Sequence, residues 1–212
     1  MRPTEVLSVE HRVIERVLSC LELMVRRGPG HFDPNLAEQA LDFFRSYADR
    51  FHHAKEEDLL FPALERRGFS SEEGPTRVMR DEHALGRQHI QAMANAVLDW
   101  RADKREAFEP FAREALLYLE LLRGHIYKED HCLFPMAEQA LGEDAQTELS
   151  AAFLKVEQES LGLEMQARCI ALADQLCEQL GVVNPRLTEA PCCSAPAHKS
   201  APAGNQLPTA TG

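Results

Sequence analysis

Two segments of the chain repeat a histidine and a glutamate at helical spacing. The segments "FHHAKEEDLLFP" and "GHIYKEDHCLFP" both read His-x-x-x-Glu, followed after a few residues by Phe-Pro. Residues four apart lie one above the other on the same face of a helix. His52 with Glu56, and His125 with Glu129, would therefore each aim an imidazole and a carboxylate at one point. Side chains of these two types in this arrangement are suited to binding a metal ion.

Two further histidines extend the pattern. His11 and His83 each follow a glutamate, and each lies on the apolar stripe of a segment with helical periodicity. Their separation matches the separation of the two repeated segments to within one residue. We interpret the chain as a duplicated helical hairpin with a pseudo-two-fold axis through the site, and we expect His11 and His83 to occupy equivalent positions.

One position breaks this symmetry. His53 follows His52, whereas Ile126 follows His125 in the second copy. An apolar residue at this position is ordinary bundle core, while a second histidine there could add a fifth imidazole to one metal. Neighbouring residues are about 100° apart around a helix, which is close enough for His53 to be an adjacent ligand. We therefore include His53 as a seventh candidate metal ligand, although the sequence leaves its binding open. If His53 binds, a small ligand is expected at the other, less crowded metal.

The candidate ligands need an explanation because they lie on core-facing stripes. A buried polar group needs partners, and a buried charge is costly. Hydrogen bonds and ion pairs alone are one solution, and a metal pair that supplies positive charge is the other. Inward-facing side chains of helical bundles commonly build di-metal sites. Mixed nitrogen and oxygen ligands suit iron, and their number is too high for one tetrahedral zinc.

Helical periodicity predicts an all-α fold. The predicted helices cover residues 4–27, 34–67, 75–100, 105–140 and 143–180. We expect an up-down-up-down four-helix bundle in residues 1–142 and an additional C-terminal helix in 143–183, which packs on the bundle or mediates a homodimer. Residues 184–212 are rich in Pro, Ala, Ser and Thr, and we predict a disordered tail. Pro62 and Pro135 would each remove a helix hydrogen bond, so a kink is expected near the site.

The composition excludes some classes of partner. The 212 residues carry a net charge of −11 and no basic cluster, which argues against nucleic acid. No apolar run is long enough for a membrane span, and the N-terminal residues show no signal-peptide pattern, so we expect a cytoplasmic protein. The six cysteines fit no zinc motif and are expected to be reduced. The role of the adjacent Cys192 and Cys193 is left open.

Several other polar residues receive more ordinary interpretations. We interpret Glu10 and Glu82, which directly precede His11 and His83, as surface charge. Glu57 and Asp130 are either solvated or orient a ligand histidine. Tyr118 is expected in the core. The histidines assigned to the surface, a loop or the tail are His31, His89, His131 and His198.

The combination of motifs resembles the hemerythrin-like (HHE cation-binding) family over roughly residues 5–140. The resemblance rests on the first-helix histidine, "HHAKEEDLLFP", the later "EH" pair and "HIYKEDHCLFP". It implies a four-helix bundle that holds a non-haem, oxo- or hydroxo-bridged pair of iron ions. The ligands that it implies are His11, His52, Glu56, His83, His125 and Glu129.

Two positions depart from the oxygen-carrying hemerythrins. Those proteins have a second histidine one turn after the third-helix ligand, where this chain has Arg87. They also place the last carboxylate five residues after the fourth-helix histidine, which here is Asp130 rather than Glu129. These departures resemble the bacterial and sensor-type branch and argue against reversible oxygen transport.

The leading hypothesis is therefore a di-iron protein that binds or senses a small diatomic ligand, oxygen or nitric oxide. The alternatives are a di-iron enzyme that acts on peroxide or nitric oxide, an iron-handling or repair protein, and a bundle that the metal merely stabilises. The sequence assigns no residue a catalytic role and implies no organic cofactor.

Overall fold

The computed structural model describes residues 1–158 and 162–182, and its long elements there are helices. No helix in these ranges combines the length and apolar character that a membrane crossing requires. The elements confirm the predicted all-α fold of a four-helix bundle with an additional C-terminal helical segment. The α-helices are α1 (Pro3–Arg27), α2 (Pro34–Phe43), α3 (Phe61–Glu65), α4 (Pro75–Arg101), α5 (Phe108–Lys128), α6 (Phe134–Ala140), α7 (Glu143–Val156) and α8 (Gly162–Leu180).

Two of the four long bundle helices are composite. The second, residues 34–65, joins α2 and α3 through π-helical turns at Phe44–His53 and Glu56–Leu60. The fourth, residues 108–140, joins α5 and α6 through a π-helical turn at Glu129–Leu133. Helices α1 and α4 are continuous. Because π-helical turns are rare and frequently lie at functional sites, their position beside the candidate ligands is informative.

Local sequence signals explain where several helices begin and end. The Asp33 carboxylate accepts a hydrogen bond of 2.8 Å from the Asn35 N–H, and Pro34 occupies the first helical position of α2. Gly28 ends α1 with a φ of +75°, a left-handed conformation that glycine adopts without strain.

Each of the two Phe-Pro dipeptides follows a wide helical turn, at the place where the sequence predicts a kink. Proline has no N–H and its ring crowds the carbonyl four residues back, so the preceding turn widens. The Phe61 N–H donates to the Glu56 carbonyl, five residues earlier. In the second copy, the Phe134 N–H donates to the Glu129 carbonyl in the same way. Each wide turn therefore begins at a glutamate of the candidate site.

The core of the bundle consists of two apolar clusters with a polar layer between them. The larger cluster includes Ile14, Phe51, Ile90 and Leu122, and the smaller one includes Leu7, Leu60, Met79 and Leu133. On each of the four long helices, the candidate ligands lie between a residue of one cluster and a residue of the other. The fold therefore surrounds the polar layer with apolar side chains at both ends.

The C-terminal segment packs on the bundle, which is one of the two places that the sequence allows. Helix α8 lies against α1 and α2 and contributes Ala173 and Leu176 to the larger cluster. Helix α7 contributes Leu149 and Phe153 to the smaller cluster. The homodimer through this segment stays a prediction, and the predicted tail, residues 184–212, lies outside the described residues.

Candidate metal centre

The seven predicted ligands converge in the polar layer. Their ligand atoms form two groups, in each of which all atoms lie within 4.8 Å of one another. Every one of these side chains is buried, with an exposed fraction of 0–6%. One group contains His53, Glu56, His83 and His125, and the other contains His11, His52, Glu56 and Glu129. Because Glu56 belongs to both groups, its carboxylate lies where it could bridge two ions.

The two glutamates lie between the imidazoles of the two groups. Glu56 Oε1 is 3.7 Å from His52 Nε2, while Glu56 Oε2 is 3.5 Å from His83 Nε2. Glu129 Oε2 is 3.2 Å from the Nε2 atoms of both His11 and His125. Each carboxylate thus faces one histidine from each half of the chain.

Unpartnered polar atoms provide a test of whether these residues fit a metal pair. All four carboxylate oxygens of Glu56 and Glu129 are buried and make no hydrogen bond to any described residue. Both ring nitrogens of His53 are likewise buried and make no hydrogen bond to any described residue. A buried polar atom without a partner costs about 1–3 kcal/mol. The donor set therefore fits two cations, which would provide the partners that these six atoms lack.

Burial and mutual repulsion leave the charges of this layer unbalanced in the metal-free chain. Burial, reinforced by the neighbouring Glu129 carboxylate, raises the pKa of Glu56 well above its usual range. Burial also acts to raise the pKa of Glu129, but His125 and His11 outweigh it and hold this pKa well below its usual range. Burial lowers the pKa of His52, mainly together with repulsion from His11. Metal ions would replace protons here and allow both carboxylates to be charged.

Two glutamates that the sequence assigned to the surface instead contact the ligands, and that interpretation is wrong. Glu10 is 3% exposed, and its Oε2 lies 2.9 Å from His52 Nδ1. In the second copy, Glu82 Oε2 lies 2.9 Å from His125 Nδ1. A carboxylate at Nδ1 favours the tautomer that carries the proton there, which leaves the Nε2 lone pair for a metal. The sequence contained a signal for these contacts, because each glutamate directly precedes a histidine on a core-facing stripe.

His11 and His83 also have a carboxylate partner at Nδ1. His11 Nδ1 lies 2.9 Å from Asp130 Oδ1, and His83 Nδ1 lies 2.7 Å from Glu57 Oε1. Of the two roles that the sequence allowed for these acids, the contacts match orientation of a ligand histidine. Each acid directly follows one of the two candidate bridging glutamates in the sequence.

These contacts relate the two halves of the chain, as the duplication predicts. His11 Nε2 is 3.0 Å from His52 Nε2, and His83 Nε2 is 3.0 Å from His125 Nε2. His11 and His83 thus occupy equivalent positions in their groups. Each also stacks on the phenylalanine of a Phe-Pro dipeptide, with ring centroids 5.5 and 6.0 Å apart, respectively.

His53 makes the two groups unequal. The wide turns of Phe44–His53 bring two consecutive histidines to the buried side, whereas the equivalent part of the second copy is regular helix within α5. The His53 ring stacks on His83 with centroids 3.8 Å apart, and its Nδ1 lies 3.6 Å from Asp49 Oδ1. One group therefore holds three imidazoles and the other holds two.

A buried lysine adds a second inequality that the sequence interpretation missed. Lys55 is fully buried, forms an ion pair with Glu10, and lies 3.1 Å from Glu157 at the end of α7. Its counterpart Lys128 pairs with Glu82, but its side chain is 41% exposed. The difference arises because Glu157 and Phe153 of the C-terminal segment contact Lys55, whereas no described residue of that segment pairs with Lys128. The duplication alone cannot reveal this.

A cavity of about 250 Å³ extends from the surface to the three-imidazole group. His53, His83 and His125 form part of its lining. Arg87, which replaces the second histidine of oxygen carriers, also lines the cavity and pairs with Asp49 at 2.7 Å. This contrasts with the expectation that a small ligand approaches the less crowded metal, because the open space adjoins the more crowded group.

Several residues that were not predicted as ligands lie away from the ligand atoms of the site. His89 Nδ1 is 2.9 Å from Glu114 Oε2 and is partly exposed. His131 is exposed, and its Nδ1 lies 2.9 Å from the Tyr127 carbonyl oxygen. Tyr118 is buried as expected, but it also lines the cavity. His198, Cys192 and Cys193 lie outside the described residues.

The fold and the clustered ligands define a four-helix-bundle protein with a cation-binding site. The chain belongs to the hemerythrin HHE cation-binding domain family, whose model matches residues 2–137. Similar proteins include uncharacterised proteins of Mycobacterium bovis and Mycobacterium tuberculosis, each 28% identical over 129 residues. These alignments cover 59% of this chain and 49% of each relative, so the chain spans about half the length of these relatives. No solved structure matches.

Proposed function

We propose that the chain binds two iron ions and uses them to bind or sense oxygen or nitric oxide. The observation that carries this proposal is Glu56, a buried carboxylate shared by two ligand groups and without a hydrogen-bond partner. One ion would be held by His53, His83 and His125, and the other by His11 and His52. Glu56 and Glu129 would contact both ions.

Iron in such a site supplies reversible redox chemistry and a coordination position that a small ligand can take. The protein's own contribution is the orientation of the ligands. The carboxylates at the Nδ1 atoms fix the direction of the imidazoles, and the apolar clusters close the polar layer at both ends, so that the cavity is the route of access to the three-imidazole group. The preference for iron rests on the mixture of imidazole and carboxylate donors. We also propose a cytoplasmic location, where the four described cysteines would stay reduced.

Metal content and gas binding test the proposal directly. Full-length protein prepared with iron is expected to hold two iron ions per chain, and His89→Ala is the matched control because His89 lies outside both groups. His53→Ala should weaken one ion selectively. Anaerobic, reduced protein is then mixed separately with oxygen and with nitric oxide, and visible absorption is recorded. Absence of a spectral change with either gas would contradict the gas-binding role.

An enzyme that acts on peroxide or nitric oxide is a second candidate. It is favoured by the open cavity at the three-imidazole group, because turnover requires substrate to enter and product to leave. Steady-state removal of peroxide, and separately of nitric oxide, would be measured for the iron-loaded protein. Turnover that disappears in His125→Ala and survives in His131→Ala supports the enzyme, whereas unmeasurable turnover rejects it.

A further inference from the structure

The cavity beside the three-imidazole group is larger than a diatomic ligand or peroxide requires. Its volume is about 250 Å³, whereas one water molecule in the liquid occupies about 30 Å³. The cavity could therefore hold about eight waters, or one organic molecule of similar total size. Its volume lies just below the usual range of small-molecule sites.

The inner wall of the cavity is largely apolar. Phe44, Ile90, Tyr118 and Leu122 contribute to it, and all four are buried. Gly86 is part of the same wall, and a Cβ atom at this position would lie 3.4 Å from the Tyr118 ring. A larger side chain at Gly86 would therefore project into the space, so the glycine keeps the cavity open.

The charged residues of the lining leave excess positive charge. Its two acids are already paired: Asp49 Oδ1 accepts from Arg87 Nε at 2.8 Å, and Glu82 pairs with Lys128. Arg50 also lines the cavity and is exposed, and its guanidinium makes no hydrogen bond or ion pair with any described residue.

A second arginine of the lining, Arg45, has only one weak partner. Its Nη1 lies 3.4 Å from the carboxylate of Asp42, whose side chain is 62% exposed. Exposed ion pairs of this kind contribute little, so this guanidinium remains free to bind another anion.

We propose that the cavity binds a small organic carboxylate with an apolar body. The carboxylate would pair with Arg50 and Arg45, because the planar guanidinium matches a carboxylate in geometry and charge. The apolar body would lie against the wall formed by Phe44, Ile90 and Tyr118. This inference rests on the proposed function only in that the bound molecule would lie beside the metal pair, as a co-substrate or effector of that centre.

Benzoate and benzyl alcohol make a matched pair of probes, because they share an aromatic body and differ in charge. Each is titrated by calorimetry into full-length protein, both metal-free and iron-loaded. We expect benzoate to bind about fivefold more tightly than benzyl alcohol, because the two arginines are exposed and an ion pair with them contributes only a few-fold in affinity. Arg50→Gln should remove most of that difference, and Arg66→Gln, an exposed arginine outside the cavity, should leave it unchanged.

Filling the cavity tests the location of the site. Gly86→Leu is expected to abolish benzoate binding while circular dichroism shows an unchanged helix content. If that variant does not fold, Ile90→Phe reduces the same space from another position. Benzoate binding that survives a folded cavity-filling variant overturns the proposal, as does equal affinity for the two probes or no binding of benzoate. If the chain takes up no iron when it is prepared with iron and yet binds benzoate, the proposed metal function is rejected and the carboxylate site is retained.

Discussion

Four of the five candidate histidine ligands have a carboxylate at hydrogen-bond distance from Nδ1. This contact decides which ring nitrogen is available to bind a metal. With the proton held at Nδ1, the Nε2 lone pair of each ring is available toward the centre of the bundle. The partners are Asp130, Glu10, Glu57 and Glu82, in the order of His11, His52, His83 and His125. All four come from a helix other than that of the histidine they contact, so each contact also ties two helices together.

The first prediction concerns one of these partners. Glu82→Gln keeps an oxygen that accepts from His125 but removes the negative charge, so metal binding should weaken by about tenfold, the lower end of the range for such partners. Competition with a chelator measures the affinity. Glu120→Gln, at an exposed position of α5, is the control. Equal affinities of the two variants would show that the charge of Glu82 does not act on the site.

The second prediction uses the duplicated lysines as a matched pair. Lys55→Met leaves Glu10 buried without its cation, so the free energy of unfolding of the metal-free protein should fall by about 3 kcal/mol. Lys128→Met removes a partly exposed ion pair and should change it by less than about 1 kcal/mol. Urea unfolding of both variants measures the difference. Equal losses would contradict the view that α7 makes the two halves unequal.

At the scale of elements, backbone irregularity decides which side chains reach the site. Regular α-helix would separate His52 and His53 by about 100°, so local geometry alone does not decide whether both face the site. The π-helical turns of Phe44–His53 bring both to the buried side. The second copy follows regular helix at this point and places Ile126 in the core.

The C-terminal segment is the other element-scale addition to the bundle. Leu176 of α8 is fully buried against the bundle, while Leu154 of α7 is 57% exposed. Leu176→Ala should therefore lower the free energy of unfolding by about 2–5 kcal/mol. Leu154→Ala, the control, should change it by less than about 0.5 kcal/mol. Chemical denaturation of both variants measures these changes, and a loss at Leu176 as small as that at Leu154 would contradict the packing of α8 on the bundle.

At the scale of the whole molecule, the site is a polar layer that divides an apolar core. The layer contains six buried ring-nitrogen and carboxylate atoms without hydrogen-bond partners among the described residues, at a cost of about 1–3 kcal/mol for each such atom. Cation binding would offset this cost, so stability and metal binding should be strongly linked.

Metal removal tests this linkage. At a free iron concentration 100 times the dissociation constant, the folded protein should gain about 2.7 kcal/mol relative to the metal-free form. Thermal unfolding before and after chelation measures the shift. In Glu56→Leu the shift should largely disappear, although the metal-free variant should be at least as stable as the metal-free natural chain, because an unpartnered carboxylate has been removed. An unchanged shift in this variant would remove Glu56 from the ligand set, and His89→Ala should retain the full shift.

The candidate ligands could be predicted from the sequence because helical spacing is a local property. His52 with Glu56, and His125 with Glu129, face inward wherever their helices pack, since four residues make about one turn. The internal repeat then related His11 to His83 without knowledge of their distance in space. The same local periodicity determined the four bundle helices and the additional helical segment.

Other features of the site could be seen only in the tertiary structure, because they depend on distances between separate helices. Glu10 looks like surface charge in the sequence, and its burial follows from the approach of the second helix and of α7, which together also enclose Lys55. The inward position of His53 depends on the wide helical turns of Phe44–His53, which no local sequence pattern predicted. The cavity beside Gly86 is space between helices, which no spacing along a single helix can define.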